Sequence, residues 1–446
     1  MRNLMFVIVM LVANTPVPDT RAQNNQAVAV TPSVSGRWIV SADFYGTRMD
    51  LSLDLKQEGE NLTGKFQGNP LQGTIHSDGV TFVAKNERGL TINCKATVQD
   101  NIMSGTLVFS NTNDPQPPST RQFTATLVPT RRAVAPVRHE FTPTTFYRAF
   151  SAATKPVLTV SPGDTIHTAT VDAGGTDEKG VTRVLGGNPQ TGPFYVETVA
   201  PGDTLVVHLT RLRLNRDWAI SDDALVPRAL DSGLAVKMKE GGRPVRWHLD
   251  LQRGVATLEK PSEHLTKYSV PLHPMLGCIA VAPPNSTAAL GTGDSEIIGG
   301  NMDFNEMVEG ATVFLPVFVP GALLYVGDGH AVQGDGELNG NALETSMDVE
   351  FTVDVIPAKQ LMGLRVESAT EIMTMGLSGS LDDAFRSATS NMAQWLTDDY
   401  NLTASEVAEV LGTSAEYKVS EVADRNAGIV LKLKKDGLQP LKSIVR

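Results

Sequence analysis

Residues 299–344 read GGNMDFNEMVEGATVFLPVFVPGALLYVGDGHAVQGDGELNGNALE. An apolar run, 311–326, is broken by Pro316 and Pro320. It leads into Asp328, His330, Asp335 and Glu337, four polar side chains within ten residues, set among Gly327, Gly329, Gly334 and Gly336. Glycines at that density let a backbone turn sharply and approach a ligand closely. Carboxylates and an imidazole offer oxygen and nitrogen donors to a divalent metal. The pattern predicts a buried strand that delivers a site to the end of a sheet.

Working outward, strands are predicted at 155–160, 165–171, 194–196, 204–214, 276–282, 312–318 and 341–355. Residues 218–260 are less regular and read as an excursion able to cover the site. Downstream, apolar residues at helical spacing over 380–400 (Leu381, Ala384, Phe385, Ala388, Met392, Trp395, Leu396) predict a helix. Thr403 with Glu406 predicts a capping box opening a second helix over 403–411. A last strand follows at 428–433. Upstream, residues 36–129 alternate polar and apolar in short segments separated by turn signals, such as Ser77-Asp78-Gly79. That rhythm predicts a small antiparallel barrel or sandwich. It is assigned as an accessory β-barrel module over 32–129, joined through a Pro- and Thr-rich linker at 130–145 to a domain spanning 146–446.

The chain has 446 residues, which calls for more than one core. Its net charge of −11 argues against a nucleic-acid backbone or an anionic membrane surface as partner. Residues 1–22 read as a signal peptide: Arg2, then a short apolar stretch at 4–13, then Thr20-Arg21-Ala22 before cleavage. Export to the periplasm or beyond is expected. Cys94 and Cys278 form no metal-binding pair or redox motif and read as buried thiols, with pairing left open.

Four segments carry a family resemblance, in order along the chain. NPQTGPFYVETVAPGDTLVVHL at 188–209, HPMLGCIAVAPP at 273–284, GGNMD with LPVFVPGAL at 299–323, and GDGHAVQGDGE at 327–337 resemble the acetamidase/formamidase family. The resemblance covers roughly two-thirds of the chain. It implies a mainly β fold with α+β parts: a β-sandwich core, followed here by a helical C-terminal segment. It also implies a homo-oligomer that hydrolyses formamide, acetamide or similar linear amides to ammonia and a carboxylic acid. The family's familiar members are cytoplasmic, so export opens the substrate to larger extracellular amides.

Hydrolysis at a metal then assigns roles. Asp172, which resembles the family's strand-end aspartate, His330 and Asp335 are the candidate metal ligands. Glu337 and Asp335 are the candidate catalytic carboxylates, with Glu337 as proton shuttle. Asn301, Asp303, His208 and His273 are candidate substrate contacts. Zinc is the first choice of ion because neutral imidazole suits it, with calcium as the alternative. Structural readings compete: Asp328-Gly329 and Asp335-Gly336 are ordinary turn dipeptides, and His208 lies in an alternating strand. The rival function is an exported, non-catalytic binding protein that keeps the scaffold and a structural ion.

Overall fold

The computed structural model describes residues 33–114, 116–130, 135–238 and 242–441, so the leader read at 1–22 lies outside the described residues. The fold is mainly β, with a barrel, a two-sheet core and a few helices.

Eight antiparallel strands, from Gly36–Phe44 to Ser119–Leu127, close into a barrel, the first pairing with the last. Alternation makes it possible. In Gly79–Lys85 every second residue (Val80, Phe82, Ala84) is buried and its neighbours face out. Trp38, Leu53, Phe66, Ile75, Met103 and Leu107 fill the interior, each almost fully buried. Closure also leaves no unpaired strand edge to recruit another chain.

The remainder packs two sheets face to face. One holds Thr204–Leu214, flanked by Met347–Ile356 and Thr312–Pro316. The other is built around Leu324–His330 and Met275–Ala280. Leu205, Val207, Phe351 and Val353 from the first share one apolar cluster with Ile279, Leu324 and Val326 from the second. All seven residues of Leu324–His330 are buried, so this strand is apolar or polar by task, without alternation.

Three strands within 218–260 belong to the sheet, which corrects the reading of this stretch as an excursion from the core. Trp218–Asp222, Pro244–Asp250 and Val255–Leu258 extend the second sheet, burying Ala219, Leu249 and Ala256 against Ala331 and Leu343. The linker reading of 130–145 also changes. Arg138–Glu140 is a strand parallel to Thr165–Ala169. Asp164 pins it by accepting from the Val137 amide at 2.8 Å and His139 Nε2 at 2.8 Å.

Helix Leu381–Tyr400 starts where Ser380 Oγ accepts the Asp383 amide, and it lays Ala388, Met392 and Leu396 on Ile372 and Leu431. Thr403 and Glu406 form the expected capping box. Cys94 and Cys278 are free and buried. The barrel is fastened to the core: Arg37 Nη2 meets Asp203 Oδ1 at 2.5 Å, and Asn285 Nδ2 donates to Asp50 Oδ2 at 2.8 Å.

Candidate active site

Three segments meet at His330. It ends the strand Leu324–His330 and pairs across the ladder with Glu344, whose Oε1 lies 3.1 Å from His330 Nε2. Residues two apart on a strand share a face, and Asp328 Oδ1 lies 3.4 Å from the same nitrogen. Asp303 arrives from the loop after Gly299–Asn301. Its amide and that of Met302 both donate to the Gly277 carbonyl, and its Oδ1 stands 3.9 Å from His330 Nε2. Gly277 is what admits the two aspartates. A Cβ there would fall 2.3 Å from Asp303 Oδ1 and 2.4 Å from Asp328 Oδ2. Glu337 enters from the glycine turn in a left-handed conformation, φ 48°, with Oε1 accepting from the Ala342 amide at 2.9 Å.

The cluster is buried and under-satisfied. Asp303 Oδ1, Asp328 Oδ1, His330 Nε2 and Glu344 Oε2 are buried without a well-aligned hydrogen-bond partner. Buried polar atoms are almost always paired, so these four around His330 form a cradle that a cation would fit. Among the described residues two ligand sets arise, Asp303 with Asp328 and His330, and His330 with Glu337 and Glu344. Within each, the donor atoms lie within 4.8 Å of one another.

His330 is oriented for the task. Its Nδ1 faces Gln333 Oε1 at 2.9 Å, and Gln333 is itself held by donating to the Asp303 carbonyl at 2.5 Å. That oxygen accepts a hydrogen bond from Nδ1–H and so leaves Nε2 as the lone-pair donor of the neutral ring. A mixed set of one imidazole and several carboxylates fits a divalent ion such as zinc better than calcium, which prefers oxygen alone.

Protonation tells the same story. Burial alone would depress His330, but Glu344 and Asp328 outweigh it and hold its pKa well above the usual imidazole value. Burial, then Glu337 and Asp328, push Asp303 well up. Burial also raises Glu337 well above its usual value, and Glu344 to about 7. Asp328 is held low despite burial, chiefly by His330. Without a cation the cluster holds protons, and a bound metal would displace them.

A cleft of about 430 Å3 opens onto this cluster, lined by Asp172, Asn188, Asp328, Glu337, Glu344 and Asp424 among others. His330, Asp303 and Glu337 are therefore brought together, with Asp303 as a candidate ligand instead of a substrate contact. Four other expected residues are placed differently. Asp172 lines the cleft, but its Oδ1 accepts the Thr176 amide at 2.8 Å and its Oδ2 pairs with buried Arg216 at 2.7 Å. It acts as a turn residue and counter-ion, outside the ligand sets. Asp335 is exposed and bonded to Asn305 and Lys418, because the turn swings it outward. His208 is exposed on the first sheet, with Thr312 Oγ1 at 2.9 Å. Exposed His273 lines a separate hollow of about 600 Å3 with Leu212, Leu251, Leu272 and Pro274.

Asn301 braces carboxylates. Its Nδ2 donates to Asp303 Oδ2 at 2.6 Å and to Asp424 Oδ2 at 2.5 Å, and its Oδ1 accepts from Asn188. The sequence reading gave no role to Asp328, Glu344, Gln333, Arg216 or Asp424. Asp328 was legible from its two-residue spacing to His330. Glu344 needed the strand register, and Asp424 has no local signal at all.

The sequence model of the Acetamidase/Formamidase family matches residues 286–376, a span that contains Asp303, Asp328, His330, Glu337 and Glu344. A predicted acetamidase/formamidase from the thermophile Thermoanaerobacter tengcongensis is similar in structure, with TM-score 0.59 and 28% identity, over 69% of this chain and 99% of that one. In both comparisons the chain is similar to acetamidase/formamidase proteins. An acetamidase from Bacillus halodurans gives the same TM-score, 0.59, at 25% identity, over 68% of this chain and 99% of its own. About a third of this chain lies outside those matches, and an additional N-terminal module is consistent with the eight-stranded barrel. In sequence, the chain is 46% identical to the Mycolicibacterium smegmatis acetamidase over 59 residues, 13% of this chain and 14% of that protein's length.

Proposed function

We propose that the chain hydrolyses the carbon–nitrogen bond of a linear amide at a divalent cation held by Asp303, Asp328, His330 and Glu344, releasing ammonia and a carboxylic acid. The observation that carries this reading is the cluster of buried, unpartnered polar atoms on Asp303, Asp328, His330 and Glu344, beside a cleft that Asp328 and Glu344 line. The names of the similar proteins, acetamidase and formamidase, supply the reaction class.

A cation in that cradle would supply Lewis acidity toward an amide carbonyl, which resonance otherwise makes a poor electrophile. The protein's own groups do the rest. Gln333 fixes the imidazole, and Gly277 leaves the space that the aspartates occupy. Glu337 is anchored through one oxygen, and burial, then the neighbouring carboxylates, raise its pKa well above the usual carboxylate value. A neutral acid beside the cluster suits proton delivery to the departing nitrogen. Burial keeps bulk water from competing with that transfer.

The leader-like residues 1–22 support an exported enzyme, and the family resemblance supports a homo-oligomer; mass and sedimentation of the mature protein test both. The central experiment is ammonia release from formamide and acetamide by chelator-treated protein, before and after adding zinc. Turnover restored by the ion supports the proposal. An ion that raises thermal stability without any turnover would instead make the protein a metal-stabilised binder.

A further inference from the structure

The cleft is larger and more acidic than a one- or two-carbon amide requires. At about 430 Å3 it falls within the range of pockets that enclose drug-sized ligands. Among the described residues that line it, the ionisable ones are Asp172, Asp328, Glu337, Glu344 and Asp424, and no lysine or arginine is present. Four of these have an assignment. Asp172 is neutralised by Arg216. Asp328 and Glu344 are more than nine-tenths buried and keep unpartnered oxygens for the cation, and Glu337 is the proton carrier.

Asp424 stands apart. It follows strand Glu416–Val419 and is held at two points, its amide by Glu421 Oε2 at 3.1 Å and its Oδ2 by Asn301 Nδ2 at 2.5 Å. No basic side chain among the described residues forms an ion pair with it, although Arg228 lies near enough to bias its charge. Both hydrogens of the Asn301 amide nitrogen are engaged, by Asp303 and Asp424, so it has no donor left for a ligand. The wall therefore offers one fixed carboxylate, beside the cation cradle, that neither the cation nor a basic residue claims.

Resting on the amidase reading above, we propose that the substrate is a linear amide that also carries an ammonium group, of the amino-acid amide class, with Asp424 binding that ammonium. The amide end lies over the cradle. Water supplies the hydroxyl of the new acid and one proton to the departing NH2 as the carbon–nitrogen bond breaks, and the substrate's ammonium group is left unchanged. A carboxylate in place of the ammonium would face the Asp424 carboxylate, a like charge.

Three amides of matched size test it: glycinamide (cationic), propionamide (neutral) and malonamate (anionic). Ammonia release and calorimetric binding are measured on the zinc-loaded full chain, for wild type, Asp424→Asn and Asp424→Glu. Wild type is expected to rank them in that order by kcat/KM and by affinity. Asp424→Asn should lower the glycinamide-to-propionamide ratio by about tenfold, the size of one charge-assisted contact, and Asp424→Glu should restore part of it. A wild type that prefers propionamide or malonamate overturns the inference, as does a ratio unmoved by Asp424→Asn. Where no amide is turned over, the amidase reading fails alone, because binding still reports the charge preference. Should Asp424→Asn not fold, the wild-type ranking decides.

Discussion

The barrel and the second core sheet are both made of antiparallel strands punctuated by glycine, yet they use their interiors in opposite ways. Inside the barrel, buried positions are apolar and packed, from Trp38 to Leu107. At the end of Leu324–His330 the buried positions are an imidazole and carboxylates, with oxygens that nothing in the protein satisfies. Burying such groups costs free energy that a barrel-like interior would not spend. Around His330 four such atoms on ionisable groups gather together, which marks the place where chemistry would be done.

The sharpest way to break this contrast is His330→Ala. It should remove bound metal and lower amide turnover by about a thousandfold or more, since the ion's contribution goes with it. Metal analysis beside ammonia release checks it, and a variant that keeps both would end the metal-centre reading. Trp38→Ala strikes the other region. It should cost about 3–5 kcal/mol of barrel stability by denaturant unfolding, while turnover per folded molecule stays near wild type. Equal loss of turnover would mean that the two regions are functionally one.

Between these lies Gly277→Ala, whose methyl group would press on Asp303 and Asp328. Metal affinity should fall by about 10–100-fold, the range seen when ligand positioning is disturbed, while far-ultraviolet circular dichroism is retained. Gln333→Ala should weaken metal binding at the lower end of that range, by releasing the ring of His330.

The smallest effect concerns pH and a site remote from the cleft. Burial works against the charge on Asp164, but hydrogen bonds from His139 and the Ser161 and Val137 amides outweigh it and set its pKa below 3.8. A depressed folded pKa means that Asp164 stabilises the fold above pH 3.8 and that this contribution is lost as pH falls through the folded value. Acid titration of stability should therefore be shallower in Asp164→Asn than in wild type.

Much of this was legible in the chain itself. Alternation reports burial directly, so the barrel strands could be read off, as could helix Leu381–Tyr400 with its Ser380 cap. His330 and Glu337 were found because their glycines gave them away. Asp335 misled for the same reason: a glycine turn shows that a side chain is presented, without showing to which side. Asp172 misled because a strand-end aspartate before Gly174 looks alike whether it faces a metal or, as here, Arg216. Glu344 and Asp424 were out of reach, since their places depend on pairing between distant strands.

The Arg37–Asp203 contact has a bearing on how the protein can be dissected. Asp203 is fully enclosed, and the guanidinium that balances it comes from the first strand of the barrel. A fragment begun near residue 135 to obtain a minimal enzyme would forfeit that counter-charge and leave Asp203 with only the Ala200 and Ala358 amides as partners at the base of strand Thr204–Leu214. The appended module thus serves as an electrostatic cornerstone for its host, and trimming it away is surgery on the catalytic half as well.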